Sequence, residues 1–593
     1  MRTFKVNSLP YRMETMTENR SKNIDSRITN WLWGMLIVGF VLFSLSPTFY
    51  ELKRSGDLHA DRQFELIHNF PTDYNFYLSR IREGLEGRWT SVERYTSEPH
   101  AGSLVHEMYV LMGRVGRASR VPWHRAGDIY HVARIVLAIA FLVLIAEFCK
   151  KTFAAGFKNE ELRIKNNSYL LNLKSNFSIL AFLLVVTASS WSKIVYVEGV
   201  LRLGGYMPWW SVMDSLQRIT FIPHLLAGQA LIIFLLLGLT HFEIIKKSAN
   251  IVFLGFLGLL LGMIFPPGLV FLYVVMGVYA LLHGKGMVKF ITPYFLVFFI
   301  SMPSLVYLGL MTSVYPWKRL IEVDIIRPLP FDYWEYVKAI GPIGITGLIG
   351  FMWAFFRKEK AMYPAVSWVI SWIGLLFVFK FIPAQSPLRF SEMIPHVPLG
   401  ILTAYLFFEI GRFRKSFITR HLPAQAGLSV VIPMFLIVMG LLHMYSSWLW
   451  QRDFVDHKIR ATTPLVPTGS YVMYPLKDFI SAIVFIQDST PSDAIILSET
   501  TAGNYIPVYS GNRVYLGHDN TVNFESKKEE VKQFFSGNMP VSVAKVWLNE
   551  KGISRVYYGP QEQEDGGGKD LSSKYPFLIN RYTNPHVTVY SIE

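Results

Sequence analysis

The chain has 593 residues, 51% of them hydrophobic and only 17% charged, where a soluble protein carries roughly a quarter. Its formal net charge of +15 is spread over short connectors between apolar runs. That pattern excludes a nucleic-acid surface, which needs one folded basic face, and the single Cys149 excludes an intramolecular disulfide.

In chain order, apolar length and flanking charge predict about eleven membrane spans, near 29–48, 129–149, 177–196, 222–241, 250–265, 268–284, 289–311, 336–356, 362–382, 392–411 and 427–447. The expected class is therefore a polytopic α-helical membrane protein. The first run is too long for a cleavable signal and is expected to stay as a span. With residues 1–28 in the cytoplasm, "CKKTFAAGFKNEELRIK", "EIIKKS", "HGKGMVK", "FFRKEK" and "GRFRKSFITR" all fall on one side, as the positive-inside rule requires. The opposite side receives 49–128, 197–221, 312–335, 383–391 and everything after 447. At "FPPG" (Phe265 to Gly268) two short runs meet, in a tight outer turn or a re-entrant pair.

Within the first outer loop, "PTDYNFYLSRIREGLE" places Tyr74, Leu78, Ile81 and Leu85 at helical spacing on one side, with Arg80, Arg82, Glu83 and Glu86 around the rest. This predicts an amphipathic helix over 73–86 lying beside the membrane. After a linker at 448–474 the composition changes. "LKDFISAIVFIQD", "KKEEVKQFFSG" and "VSVAKVWLNEKG" have helical patterns, whereas "DAIILS", "RVYLG", "SRVYYG" and "HVTVYSI" are strand-like. Residues 475–593 are thus expected to form a small α/β domain on the outer side.

Polar, potentially reactive residues concentrate in the first outer loop, and the spans hold almost no acids at mid-depth, which argues against an ion-coupled transporter. Asp73, at a helix start after Pro71-Thr72, has two readings. It caps the helix, or it is a fixed base that deprotonates an acceptor hydroxyl while a lipid-borne donor approaches from the side. Glu98 and His100 flank Pro99 in "RYTSEPH", either as a solvated loop or facing the cavity of Asp73. No zinc-type spacing occurs; an acid-bound Mg2+ or Mn2+ stays open.

One acid-bearing loop after the first span, a helix along the membrane, eleven or so spans and an outer C-terminal domain together resemble the GT-C glycosyltransferases. The text is most similar to mostly uncharacterised bacterial relatives, through "DYNFYLSRIREGLEGRWTSVERYTSEPH", "GNYIPVYSGNRVYLGH" and "VKQFFSG". The resemblance implies a polyprenyl-phosphate-linked sugar donor and an envelope glycan, lipid or protein acceptor. It also implies residence in the plasma (inner) membrane among its lipids, with the C-terminal domain extracytoplasmic. It matches Asp73 to the catalytic first-loop acid and Glu98 to a second acid. Arg389, in "SPLRFSEMIPH", becomes the clamp on the donor phosphate, suited by its guanidinium fork. His100 and His224, the latter in "FIPHLL", are further substrate-binding candidates; for His224 a plain helix-start histidine is the alternative. Neither the Trp-Trp-Asp motif of oligosaccharyltransferases nor the adjacent acid pair of protein O-mannosyltransferases is present, so sugar and acceptor stay open. Two other classes compete: a non-catalytic envelope anchor or binding protein, and a lipid or polymer flippase.

Overall fold

The computed structural model describes residues 10–156, 167–197, 199–382, 386–416, 423–462 and 473–593. Five helices are long and apolar enough to cross a bilayer: Asn30–Asp57, Trp123–Ala154, Gly284–Met311, Lys360–Phe381 and Ser429–Arg460. Two bent pairs raise the number to seven, Tyr333–Ile340 with Pro342–Phe356 at 86° and Pro387–Met393 with His396–Gly411 at 52°. Four shorter apolar helices accompany them: Asn176–Thr187, Pro223–Leu239, Ser248–Ile264 and Pro266–Leu282. Each of the predicted apolar runs lies on one of these helices, and the chain is a multi-pass membrane protein. Outward-facing Met35, Val38, Phe295, Phe299 and Phe356 form an apolar surface that lipid covers.

Small residues set the close crossings within the bundle. A Cβ on Gly350 would lie 2.1 Å from the Leu402 carbonyl oxygen, and one on Gly440 would lie 1.9 Å from that of Thr187. Gly341, at φ 74°, turns the chain sharply before Pro342 and makes the 86° bend. At "FPPG" the break is the single residue Phe265, between two helices of 17 residues each.

Several boundaries differ from expectation. The third run, predicted to span 177–196, stops being helical at Thr187. The β-branched stretch after it forms an antiparallel hairpin of β1 (Lys193–Val197) and β2 (Val200–Gly204). Arg202 of β2 pairs with Asp453 at 2.9 Å, and the Ser446 hydroxyl bonds both the N–H (3.1 Å) and the C=O (2.8 Å) of Leu203. These bonds seat the hairpin on the last apolar helix. That helix runs on to Arg460, so the start of the expected linker at 448–474 is helical, while 463–472 lie outside the described residues.

Beyond the linker, β3 (Ile495–Leu497), β4 (Arg513–Val514), β5 (Ile553–Tyr558), β6 (Leu578–Thr583) and β7 (Thr588–Ile592) form one sheet of order β4-β3-β5-β7-β6. β3 is parallel to β4 and β5, whereas β5, β7 and β6 run antiparallel, with Leu497 opposite Val556 and Arg555 opposite Ser591. One face is covered by helices Phe524–Phe535 and Val541–Glu550 through Phe534, Trp547 and Leu548; the other is covered by Lys477–Ser489 and Thr500–Tyr509 through Phe479, Ile483 and Tyr505. "TTAGNY" is the start of the Thr500–Tyr509 helix, with the Glu499 side chain accepting from the Thr500 N–H.

The first-loop helix, Pro71–Glu86, corrects the sequence reading most. Its apolar side is buried as expected through Tyr74, Leu78, Ile81 and Leu85, but its charged side is buried too, with Arg80 and Glu83 both 0% exposed. Instead of lying free beside the membrane, it is sandwiched. Helix Glu107–Ala118 crosses it where a Cβ on Gly113 would lie 2.0 Å from the Ile81 carbonyl oxygen. The C-terminal sheet unit covers the charged side: Arg82 donates to the Val508 and Ser510 carbonyls at 2.7 and 3.0 Å, and Arg94 to that of Gly511.

Candidate functional site

Pro71 opens the helix at a position where its missing N–H costs nothing, and Asp73 follows in the first turn. The helix is preceded by Phe70 with no side-chain capping bond. Asp73 is not the N-cap residue itself; its carboxylate meets the positive end of the helix from within the first turn. It is 49% exposed, and the Nε2 atom of His518, from the C-terminal sheet unit, stands 3.7 Å away.

One turn further on, Tyr77 is packed face to face with Tyr109, ring centres 4.5 Å apart, and tilted against His224 at 5.3 Å. Tyr109 and His224 close the cluster with a 2.8 Å contact between the phenol oxygen and Nδ1. Burial pushes the Tyr77 phenol well above its usual range; the Asp73 charge acts in the same direction and the Arg389 charge opposes it. The Tyr77 ring itself is partly buried. Arg389 sits on the short helix Pro387–Met393, its guanidinium 3.4 Å from Asp324 and 3.9 Å from Glu392, with a third of its side chain exposed. Two carboxylates orient this fork without closing a short bond on it, and part of it remains open to an incoming anion.

Of the five site residues proposed from sequence, the structure gathers Asp73, His224 and Arg389 around Tyr77. Glu98 and His100 are engaged elsewhere. The Glu98 carboxylate pairs with Lys527 at 2.7 Å and accepts from the Thr96 hydroxyl. Burial pushes Glu98 up, but the Lys527 and Thr96 bonds outweigh it and hold the carboxyl below its usual range. His100 accepts the Glu93 N–H on Nε2 at 2.8 Å, which leaves Nδ1 to donate to the Glu98 carbonyl at 2.7 Å. Its ring clasps the loop at both nitrogens.

Two histidines near Asp73 were not singled out from sequence. His518 lies within the quoted "GNRVYLGH", but nothing in one sequence reveals that a loop 445 positions on reaches residue 73. His106, in a left-handed backbone conformation (φ 59°), sets its ring edge-on to Phe76 at 5.0 Å. Among the described residues no three His, Cys, Asp or Glu side chains converge to hold a metal ion.

No protein-family model and no curated protein matches the chain. Solved structures do. Archaeal oligosaccharyltransferase AglB from Archaeoglobus fulgidus, in complex with an inhibitory peptide and a dolichol-phosphate, matches with a TM-score of 0.50 and 9% identity over 95% of this chain and 74% of that one. The Archaeoglobus fulgidus oligosaccharyltransferase tethered with an acceptor peptide matches with a TM-score of 0.51 and 11% identity over the same shares. ArnT from Cupriavidus metallidurans bound to undecaprenyl phosphate has a TM-score of 0.48 and 12% identity, over 95% of this chain and 98% of that one. At such identity the likeness gives the fold alone: the chain shares that of the Archaeoglobus fulgidus oligosaccharyltransferase.

Proposed function

We propose that this chain is a membrane glycosyltransferase that moves one sugar from a polyprenyl-phosphate carrier to an acceptor on the outer face of the inner membrane, with inversion. The acceptor hydroxyl oxygen attacks the anomeric carbon as its proton passes to Asp73. The bond from that carbon to the carrier phosphate breaks, and the phosphate leaves with the electron pair beside Arg389. A base for this step needs a fixed acid within reach of the attacking group, and a leaving phosphate is best met by a guanidinium fork. His224, held by the Tyr109 hydroxyl at 2.8 Å, would contact the sugar. His100 and Glu98 we assign to holding the loop and its partner unit in place, which orients the acceptor side. A Mg2+ or Mn2+ does not fit Glu98 while the Lys527 ammonium occupies it, so no step runs through a metal.

What supports this reading is a half-exposed acid in the first turn of the Pro71–Glu86 helix and a partly open arginine on Pro387–Met393, in a fold shared with a protein solved with a dolichol-phosphate. The test is transfer by the purified full chain from a panel of radiolabelled polyprenyl-phosphate sugars, with Asp73→Asn alongside. No capping bond is lost in this variant, so it should fold normally and lose about 10²–10⁴-fold in rate. A folded Asp73→Asn protein that keeps more than about a tenth of the rate would remove Asp73 as the base.

A further inference from the structure

His518 is held more firmly than a surface histidine needs to be. Its loop is tied to the first-loop segment by the Thr521 hydroxyl, which donates to the Tyr95 carbonyl at 2.6 Å, and by the Val522 N–H, which donates to the Thr96 hydroxyl at 3.2 Å. Behind it Gly517 lies flat on the Thr500–Tyr509 helix, where a Cβ would come within 2.4 Å of the Gly503 carbonyl oxygen. The ring itself is stacked on Phe76 (centres 5.0 Å apart, planes 21° apart) and tilted against Tyr95 at 5.3 Å.

Phe76 lies three residues after Asp73, hence on the same helix face. A ring stacked there points one nitrogen at the acid. The other nitrogen, Nδ1, accepts the Asn520 N–H at 3.1 Å, which assigns the hydrogen of the neutral ring to Nε2, 3.7 Å from Asp73 Oδ1. That separation exceeds a direct hydrogen bond. A small rotation of the half-exposed carboxylate or one bridging water closes it, and such contacts commonly tighten when substrate binds.

We propose that His518 is a positioning residue for Asp73, so that the C-terminal sheet unit completes the site. The proposal rests on Asp73 being the base. With Nδ1 occupied and Nε2 carrying a hydrogen, His518 does not take the acceptor's proton. It binds Oδ1 and turns Oδ2 toward the acceptor hydroxyl. The other ionisable groups facing it are His106, from the start of helix Glu107–Ala118, and the adjacent Asp519, which is itself drawn away toward Arg327 at 3.5 Å.

The test uses the full chain in nanodiscs with isotope-labelled histidine, the His518 signal being assigned by its loss in His518→Gln. The Asp73 carboxylate stands 3.7 Å from Nε2, so its loss in Asp73→Asn should move the His518 Nε2 resonance at a fixed pH. In the transfer assay His518→Ala should lower kcat about 10–100-fold, as a misplaced catalytic group does. Donor KM should stay unchanged. His518→Gln, which keeps an N–H donor, should recover most of the loss, and His518→Ala should cost nothing further on top of Asp73→Asn. An unmoved His518 Nε2 resonance in Asp73→Asn overturns the proposal whatever the activity. A normal kcat in folded His518→Ala overturns it as well. A moved resonance with full activity in Asp73→Asn leaves the pair standing and instead defeats Asp73 as the base.

Discussion

Glu65 gives the sharpest prediction about stability. It is buried, with the Tyr509 hydroxyl of the C-terminal unit donating to its carboxylate. Burial pushes its pKa up to about 7, against the opposing pull of Tyr509 and the Lys458 charge. A carboxyl raised on folding binds its proton more tightly folded than unfolded. The site therefore costs nothing below the unfolded pKa of about 4.3, loses stability as pH climbs toward 7, and carries its full cost above that. A rise of about two to three units corresponds to roughly 3 kcal/mol. Glu65→Gln removes the charge and keeps an acceptor for Tyr509. Its melting temperature should therefore exceed that of the wild type by several degrees at pH 8, and the gain should vanish by pH 4.5. Thermal unfolding of both proteins in the same detergent, followed by circular dichroism at a series of pH values, reads this directly. A difference between the two proteins that does not vary with pH would refute the argument. So would a Gln variant that is the less stable one at pH 8.

Two other predictions concern Arg389 and Lys527. Arg389→Lys keeps the charge and loses the fork, so affinity for a polyprenyl phosphate, measured by microscale thermophoresis on the purified chain, should fall about tenfold; equal affinity would move the phosphate contact elsewhere. Lys527→Met leaves Glu98 without its cation and should cost about 1.5–3 kcal/mol. The C-terminal unit should then become more open to limited proteolysis, and an unchanged cleavage pattern would count against Glu98 as a docking contact.

The apolar runs were legible because hydrocarbon imposes length and composition on every span, and each run found a helix. What could not be read was the fate of polar side chains. Arg80 and Glu83 sit at positions that periodicity assigns to solvent, and only the arrival of Arg94, Glu93 and the C-terminal carbonyls makes their burial possible. Strand β6 was missed because it is an edge strand whose Ile579, Asn580 and Arg581 are all exposed, which breaks the alternation. Asp73 was singled out by its place at a helix start. His518 was not, since its meaning comes from a contact between distant segments. The third run was drawn too long because Trp191 and the β-branched residues after it are apolar enough to extend a span, although they pair as a hairpin.

The charge cluster also explains how the C-terminal unit is held in register on the first loop. Arg80 meets Glu83 and Glu93 at 3.2 and 2.6 Å; Arg94 meets Glu83 and Glu86 at 3.2 and 2.5 Å; Arg82 meets Glu86 at 2.7 Å. Three arginines face three glutamates, so the cluster is neutral as a whole. Removing Glu83 or Glu93 would leave the buried Arg80 short of a partner, a cost of several kcal/mol. Such a network adds little net stability over an apolar contact of the same size, but it tolerates only one alignment. The remaining guanidinium hydrogens reach the carbonyls of Val508, Ser510 and Gly511, whose positions are fixed at the end of the Thr500–Tyr509 helix. Gly511 is at φ 79°, and a Cβ there would lie 2.9 Å from nitrogens of both Arg82 and Arg94. Only glycine lets that backbone come so close. A shift of the unit by one residue would break all three carbonyl contacts together, and with them the approach of His518 to Asp73. The charged face of the Pro71–Glu86 helix therefore serves its first turn: it fixes the partner that stands over the acid.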